Sequence, residues 1–326
     1  MRREAPVFVV GMNGSGTTML ADSLGRHPEL FMLWEESKVL PYYLNNNGPA
    51  ILLDNIDARR NLIREIGETK GFWRTNGMQP LLVPDEYMDE PGVPGVISAI
   101  YKYLAAKEGK TRWGDKSPNN TFHIAKLAEA FPVAQFVHII RDGRDAACSF
   151  HRRWKYDPLH TIARWKDAVE SGRQHGRALA AGRYIEVFYE NLTSSPESEM
   201  RKVCDFLGLP FDEKVIESGM PHFSALGSDG KHVGRMVANS GKWQRYFNAT
   251  QIGKMEQIAG KLLSECGYQV AVRGDDKPGS LRRKYWLAKD GFVYSQGVFV
   301  KYGIRVLPRY IRHVKTAMKQ WRSNRK

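Results

Sequence analysis

Pro6-Val7-Phe8-Val9-Val10-Gly11-Met12-Asn13-Gly14-Ser15-Gly16-Thr17-Thr18 is the stretch that decides how the rest of the chain reads. Val7 to Val10 is an unbroken apolar run with three β-branched residues, and it ends on a glycine. That pattern predicts a short strand buried on both faces. Gly11, Gly14 and Gly16 then let the backbone take positive φ and come close to a ligand. Apolar positions at Met19, Leu20 and Leu24 predict a helix running to Gly25. Strand, glycine-rich loop and helix in that order open a nucleotide-binding α/β fold. The loop amides converge on one spot, where the helix N-terminus adds partial positive charge. Hydroxyls of Ser15, Thr17 and Thr18 supply further donors, so the segment is a phosphate site. It departs from the triphosphate loop G-x-x-x-x-G-K-(S/T), because Thr17 stands where that motif has lysine. Without the cation for the β- and γ-phosphates, a P-loop kinase is disfavoured. A ligand with one phosphate and one further anionic group fits better.

Working outward, Ala134 to Ile140 reads as a second buried strand, ending in Arg141-Asp142-Gly143-Arg144-Asp145 with a helix beyond. Tyr184 to Tyr189 reads as a third, with Ile185, Val187 and Tyr189 alternating. Ser195-Pro196-Glu197 predicts a helix start with Ser195 as cap, and Gly208 its stop. Strands alternating with helices imply an α/β fold: a central, mostly parallel sheet with flanking helices and a P-loop-like nucleotide site. Residues 45–110, rich in asparagine, proline and glycine, read as an insertion of helices and loops over the active site. Arg141 stands at the end of the Ala134–Ile140 strand and Ser149 lies eight residues on in the following helix; taken alone, Arg141 reads as a salt-bridged arginine at a strand end.

With the glycine loop and this strand end in view, the chain resembles the sulfotransferase family over roughly residues 5–250, and in that family an arginine and a serine at these places grip a phosphate. Val7 to Leu30 is similar to that family's 5′-phosphosulfate loop, and Arg141 with Ser149 to its 3′-phosphate site. The resemblance implies the donor 3′-phosphoadenosine 5′-phosphosulfate, leaving as adenosine 3′,5′-bisphosphate, with no metal. It implies donor contacts from Asn13, Gly14, Ser15, Gly16, Thr17, Thr18, Arg141, Ser149, Tyr189 and Lys242, the last in a Gly241-Lys242-Trp243 segment like the one that closes over the donor in the family. Arg235 is a weaker addition. The usual loop is Pro-(Arg/Lys)-Ser-Gly-Thr-Thr, whose basic residue contacts the sulfuryl group; here Asn13 and Gly14 replace the first two residues. Trp34-Glu35-Glu36-Ser37 resembles the Glu-Glu segment of the protein-tyrosine branch, which implies Glu35 as base with Glu36 second. Gly114-Asp115-Lys116-Ser117-Pro118 resembles a Gly-(Asp/Glu)-Lys-(Ser/Thr)-Pro segment, which implies Lys116 as a cation at the transferring group. The alternatives are a nucleotide-binding protein of the same fold with altered chemistry, favoured by Gly14, and a P-loop kinase. The acceptor stays open between glycan, lipid and protein tyrosine.

The 326 residues carry a net charge of +14, of which residues 273–326 contribute +12 from fifteen Lys/Arg against three Asp/Glu. We therefore divide the chain into a domain at 1–272 and a basic, aromatic-rich extension at 273–326. Leu307, Ile311, Val314, Met318 and Trp321, with arginines and lysines between them, predict an amphipathic basic helix. Such a helix either docks on the body of the protein, lies on an anionic membrane surface or binds a partner. No nucleic-acid partner is expected. The three cysteines have no disulfide or zinc spacing, and no secretory leader or run of 18 apolar residues is seen. The expected place is the cytoplasm, at the inner membrane surface if the extension binds lipid.

Overall fold

The computed structural model describes residues 4–37, 40–45, 55–218, 234–236 and 238–302. The predicted amphipathic helix at 307–321 lies outside them. The chain forms two compact units, residues 1–141 with 167–240, and residues 142–166 with 241–326.

The first unit is built on a five-stranded parallel sheet. The strands are β1 (Val7–Val10), β2 (Leu30–Met32), β3 (Arg112–Lys116), β4 (Gln135–Ile140) and β5 (Tyr184–Phe188), in the order β2-β3-β1-β4-β5. β1 is central and buried on both faces, as its apolar run requires. Phe8 and Val10 face one core with Phe31, Trp113, Phe131 and Phe136, while Val7 and Val9 face another with Leu20, Leu24, Val137 and Ile139. Phe8 stacks on Phe136 at 5.4 Å between centroids. Each such burial is worth roughly 1.5–3 kcal/mol.

The helices of this unit are α1 (Thr17–Gly25), α2 (Leu40–Asn45), α3 (Ile56–Gly67), α4 (Lys70–Thr75), α5 (Gly92–Lys107) and α6 (Ile124–Ala130). After α7 (Gly143–Trp154) and α8 (Pro158–Arg177) come α9 (Tyr189–Ser194) and α10 (Pro196–Leu207). Leu62, Ile63, Phe72, Ile97, Ile100 and Tyr101 from the 45–110 insertion complete the core on the Phe8 face, so this segment is part of the body.

Three details differ from the sequence reading. β2 and β3 are additional strands. Tyr189 starts α9 and does not end β5. Ser195 sits at the N-cap of α10, but its hydroxyl makes no cap hydrogen bond.

In the second unit, α11 (Trp243–Tyr246), α12 (Ala249–Glu265) and α13 (Ser280–Tyr302) each pack against α7. Arg144 meets Asp142 and Glu256 at 2.7 Å each, and Lys166 pairs with Asp275. α13 is held by Trp286 and Asp290, whose carboxylate lies 2.5 Å from Nδ1 of His160.

Candidate active site

In a parallel sheet the ligand side is the carboxyl edge of the strands. Every strand here delivers a candidate residue to that edge: Glu35 after β2, Lys116 at the end of β3, the Gly11–Gly16 loop after β1, Arg141 after β4 and Tyr189 after β5. In the strand register Lys116 pairs with Val9, so Lys116 stands on the strand between the Glu35 strand and the loop strand.

The loop is shaped by close approaches that only glycine permits. Gly11 has φ +149°, and a Cβ there would sit 2.4 Å from the carbonyl oxygen of Ile139. Its amide donates to Thr121 Oγ1 at 2.6 Å, tying the loop to the turn after β3. Gly16 caps α1 at φ +95°, where a Cβ would lie 2.7 Å from the Tyr189 ring. Gly14 has φ +85°, a left-handed backbone that disfavours the arginine or lysine usual in related loops. Asn13 and Thr18 are half-buried, and Thr17 is buried in the first turn of α1. Ser15 is buried too, and its Oγ has no partner among the described residues. A buried hydroxyl without a protein partner at a helix N-terminus is what a phosphate oxygen would satisfy, so these residues fit the 5′ side of the implied donor.

Arg141 joins the loop to the start of α9. Its Nη1 donates to the Gly14 carbonyl at 2.9 Å, Nη2 donates to the Asn239 carbonyl, and its guanidinium lies 4.4 Å from the Tyr189 ring centre. Gly16, Arg141 and Tyr189 thus form one assembly, with Tyr189 as its floor.

On the other flank, Glu35 and Glu36 lie half-buried in the irregular chain after β2. Glu35 accepts from Arg74 Nη1 of α4 at 2.5 Å, and the same guanidinium lies 5.4 Å from the Trp34 ring centre. Beneath them is Asp115, fully buried, which accepts from Tyr101 Oη at 2.6 Å and Asn120 Nδ2 at 2.8 Å. Burial pushes the Asp115 carboxyl up, against the opposing pull of the Tyr101, Ser37 and Ser117 hydroxyls and of Lys116. Ser37 and Ser117 meet at 3.2 Å, so the segment after β2 is fastened to the end of β3. Lys116 itself is buried.

Two predicted residues belong to the second unit. Ser149 is half-buried on α7, and Lys242 is exposed just before α11. Sequence reasoning missed what holds Lys242's turn. Asp145 accepts from the Gly241 and Trp243 amides at 2.6 and 3.2 Å, and Arg144 lies 3.8 Å from the Trp243 ring centre. The charged run Arg141 to Asp145 held that information, but only Arg141 stood out. Arg74 and Asp115 were also missed. The Arg235 side chain lies outside the described set. Among the described residues, no three His, Cys, Asp or Glu gather as metal ligands, and no helix is long and apolar enough to cross a membrane.

A parallel sheet with a phosphate loop on its central strand defines a nucleotide-binding α/β protein. The sulfotransferase family profile matches residues 6–213, and the chain belongs to that family. Protein-tyrosine sulfotransferase A of Caenorhabditis elegans is 26% identical over 68% of this chain and 54% of its own length. The protein-tyrosine sulfotransferase of Drosophila melanogaster is 25% identical over 66% of this chain and 40% of its own. The chain thus spans about half, or less, of these curated relatives. Among solved structures, the sulfotransferase domain of the Synechococcus PCC 7002 olefin synthase has a TM-score of 0.52 at 21% identity, covering 78% of this chain and 96% of that one. The sulfotransferase domain of the curacin biosynthetic pathway gives 0.53 at 15%, covering 82% and 99%. These two share the fold.

Proposed function

We propose that the protein transfers a sulfuryl group from 3′-phosphoadenosine 5′-phosphosulfate to an acceptor hydroxyl. The observation that carries this reading is the order of the strands: Glu35 follows β2, Lys116 ends β3 and the loop follows β1, and these three strands are neighbours in that order. A base, a cation and an anion cradle in sequence along one sheet edge are the parts an in-line group transfer uses. When bound, the donor supplies the sulfuryl group and a bisphosphate leaving group. Loop amides with Ser15, Thr17 and Thr18 hold its 5′ side, and Arg141, seconded by Ser149, its 3′-phosphate. Tyr189 fixes the Arg141 plane, and Lys242 is a further donor contact. Glu35, with Glu36 in reserve, takes the proton of the acceptor hydroxyl. Lys116 neutralises charge at the transferring group, a duty that grows where Gly14 offers no cation. No metal is required by these roles.

For the acceptor, the Glu35-Glu36 segment and the curated relatives favour a tyrosine phenol over glycan and lipid hydroxyls. The test is incubation with radiolabelled donor and a panel of tyrosine peptide, oligosaccharide and glycolipid. Labelled product from wild type, lost in Glu35→Gln, is expected. Donor binding without any labelled product would instead support a nucleotide-binding protein lacking transfer chemistry, the reading that Gly14 favours.

The extension at 273–326 is proposed as a module that contacts anionic membrane from the cytoplasmic side. In the first turns of α13, Leu281, Arg282, Lys284 and Tyr285 are exposed. Co-sedimentation with phosphatidylserine vesicles, lost at high salt, is expected; equal recovery with neutral vesicles would contradict it.

A further inference from the structure

The Trp34–Ser37 segment has no regular hydrogen-bonded structure of its own, yet the proposed base must be held in one place. The insertion supplies the means. Thr69 precedes α4, and Phe72 of that helix packs edge-on against Tyr101 at 5.3 Å, which fixes the helix to the core. On the same helix Gly71 comes so near that a Cβ would lie 2.7 Å from the Glu36 carbonyl oxygen. One turn along, Arg74 donates to the Glu35 carboxylate at 2.5 Å with its guanidinium over Trp34. Glycine at 71 therefore permits the approach, and arginine at 74 uses it.

Resting on the proposed transfer reading, we infer that Arg74 is the positioning residue for the base: it selects the Glu35 rotamer by holding the carboxylate in a charged hydrogen bond. The helix that does so belongs to the 45–110 insertion, so the insertion serves the chemistry through Arg74 as well as completing the core. Lysine could keep the charge but not the planar fork of donors, so Arg74→Lys would restore only part of the function.

The experiment compares Arg74→Ala, Arg74→Lys and wild type, with radiolabelled donor and a tyrosine peptide. For Arg74→Ala, kcat should fall about tenfold to a hundredfold while the Kd for adenosine 3′,5′-bisphosphate stays within about threefold of wild type. Millimolar guanidinium chloride should return part of the lost kcat to Arg74→Ala and give nothing to wild type, a response that a merely structural role would not produce. An unchanged kcat, or a loss that guanidinium does not relieve, overturns the inference. If wild type transfers to no acceptor, the function reading fails by itself. The pair is then decided by a double-mutant cycle in thermal midpoint with Glu35→Gln: non-additive losses uphold it, and additive losses overturn it.

Discussion

The loop Gly11–Gly16 and the segment Trp34–Ser37 both leave the carboxyl edge of the same sheet, but they are held in place by different physics. The loop is held by its own backbone: glycines at positive φ, close approaches to Ile139 and Tyr189, and the hydrogen bond that the Gly11 amide donates to Thr121 Oγ1. The segment is held by side chains from far along the chain, Arg74 on Glu35 and the Tyr101–Asp115 pair beneath Ser37. A loop held by its backbone suits a ligand that is the same in every turnover. A segment held by an insertion can be re-aimed by changing the insertion.

The comparison can be broken most sharply at Gly11. Gly11→Ala places a Cβ against the Ile139 carbonyl, and should cost about 3–5 kcal/mol in chemical unfolding together with nucleotide binding. Gly77→Ala, at φ +69° in open space, should cost only about 1 kcal/mol. Equal losses would mean that close approach does not shape the loop. Next comes Lys116→Ala, which should lower turnover by about a hundredfold to a thousandfold while calorimetry shows bisphosphate binding preserved. If binding fell with turnover, Lys116 would belong to the cradle and not to the transfer.

Asp115→Ala tests the other holding mode. It strands the Tyr101 hydroxyl and the Asn120 amide in the core, and should cost about 2–3 kcal/mol in unfolding. A loss below about 0.5 kcal/mol would mean that the segment is not fastened through this carboxylate. The smallest effect concerns the sheet that both regions share. His138 on β4 is fully buried beside Tyr184, and burial lowers its pKa to about 4. Its folded value lies below the unfolded one, so the unfolded state takes up the proton first. The stability is therefore present above about pH 6.5 and is lost as pH falls toward 4. Unfolding at pH 5 against pH 7.5 should show about 2 kcal/mol of this loss, reduced in His138→Gln. An unaltered slope in that variant would place the acid sensitivity elsewhere, His123 being the next candidate since burial lowers it in the same way.

How much was legible follows the same divide. β1, the loop, α1 and the Arg141 strand end could be read because their signals are local: an apolar run, glycines and a strand terminus. β3 could not, because Arg112-Trp113-Gly114-Asp115-Lys116 has the composition of a surface loop. It is buried because Arg112 is satisfied by the carbonyls of Ala5 and Leu207 and by Gln135, and Asp115 by Tyr101 and Asn120. Partners that distant leave no local trace. β2 is three residues long and forms only through its pairing with β3. The Ser195 cap failed for a different reason. Its position suits a cap, but its side chain makes no hydrogen bond to the first turn of α10. Arg74 is one arginine among many in the sequence, and only the backbone approach at Gly71 marks it out.

The central claim is a two-ended nucleotide site, with the loop at the 5′ side and Arg141 at the 3′-phosphate. Calorimetric titration with adenosine 3′,5′-bisphosphate, adenosine 5′-monophosphate and ATP, on wild type and Arg141→Ala, tests it most directly. The account predicts that wild type binds the bisphosphate at least about tenfold more tightly than the other two, and that Arg141→Ala erases the advantage over the monophosphate. Equal affinity of wild type for bisphosphate and monophosphate, or a preference for ATP, would contradict it.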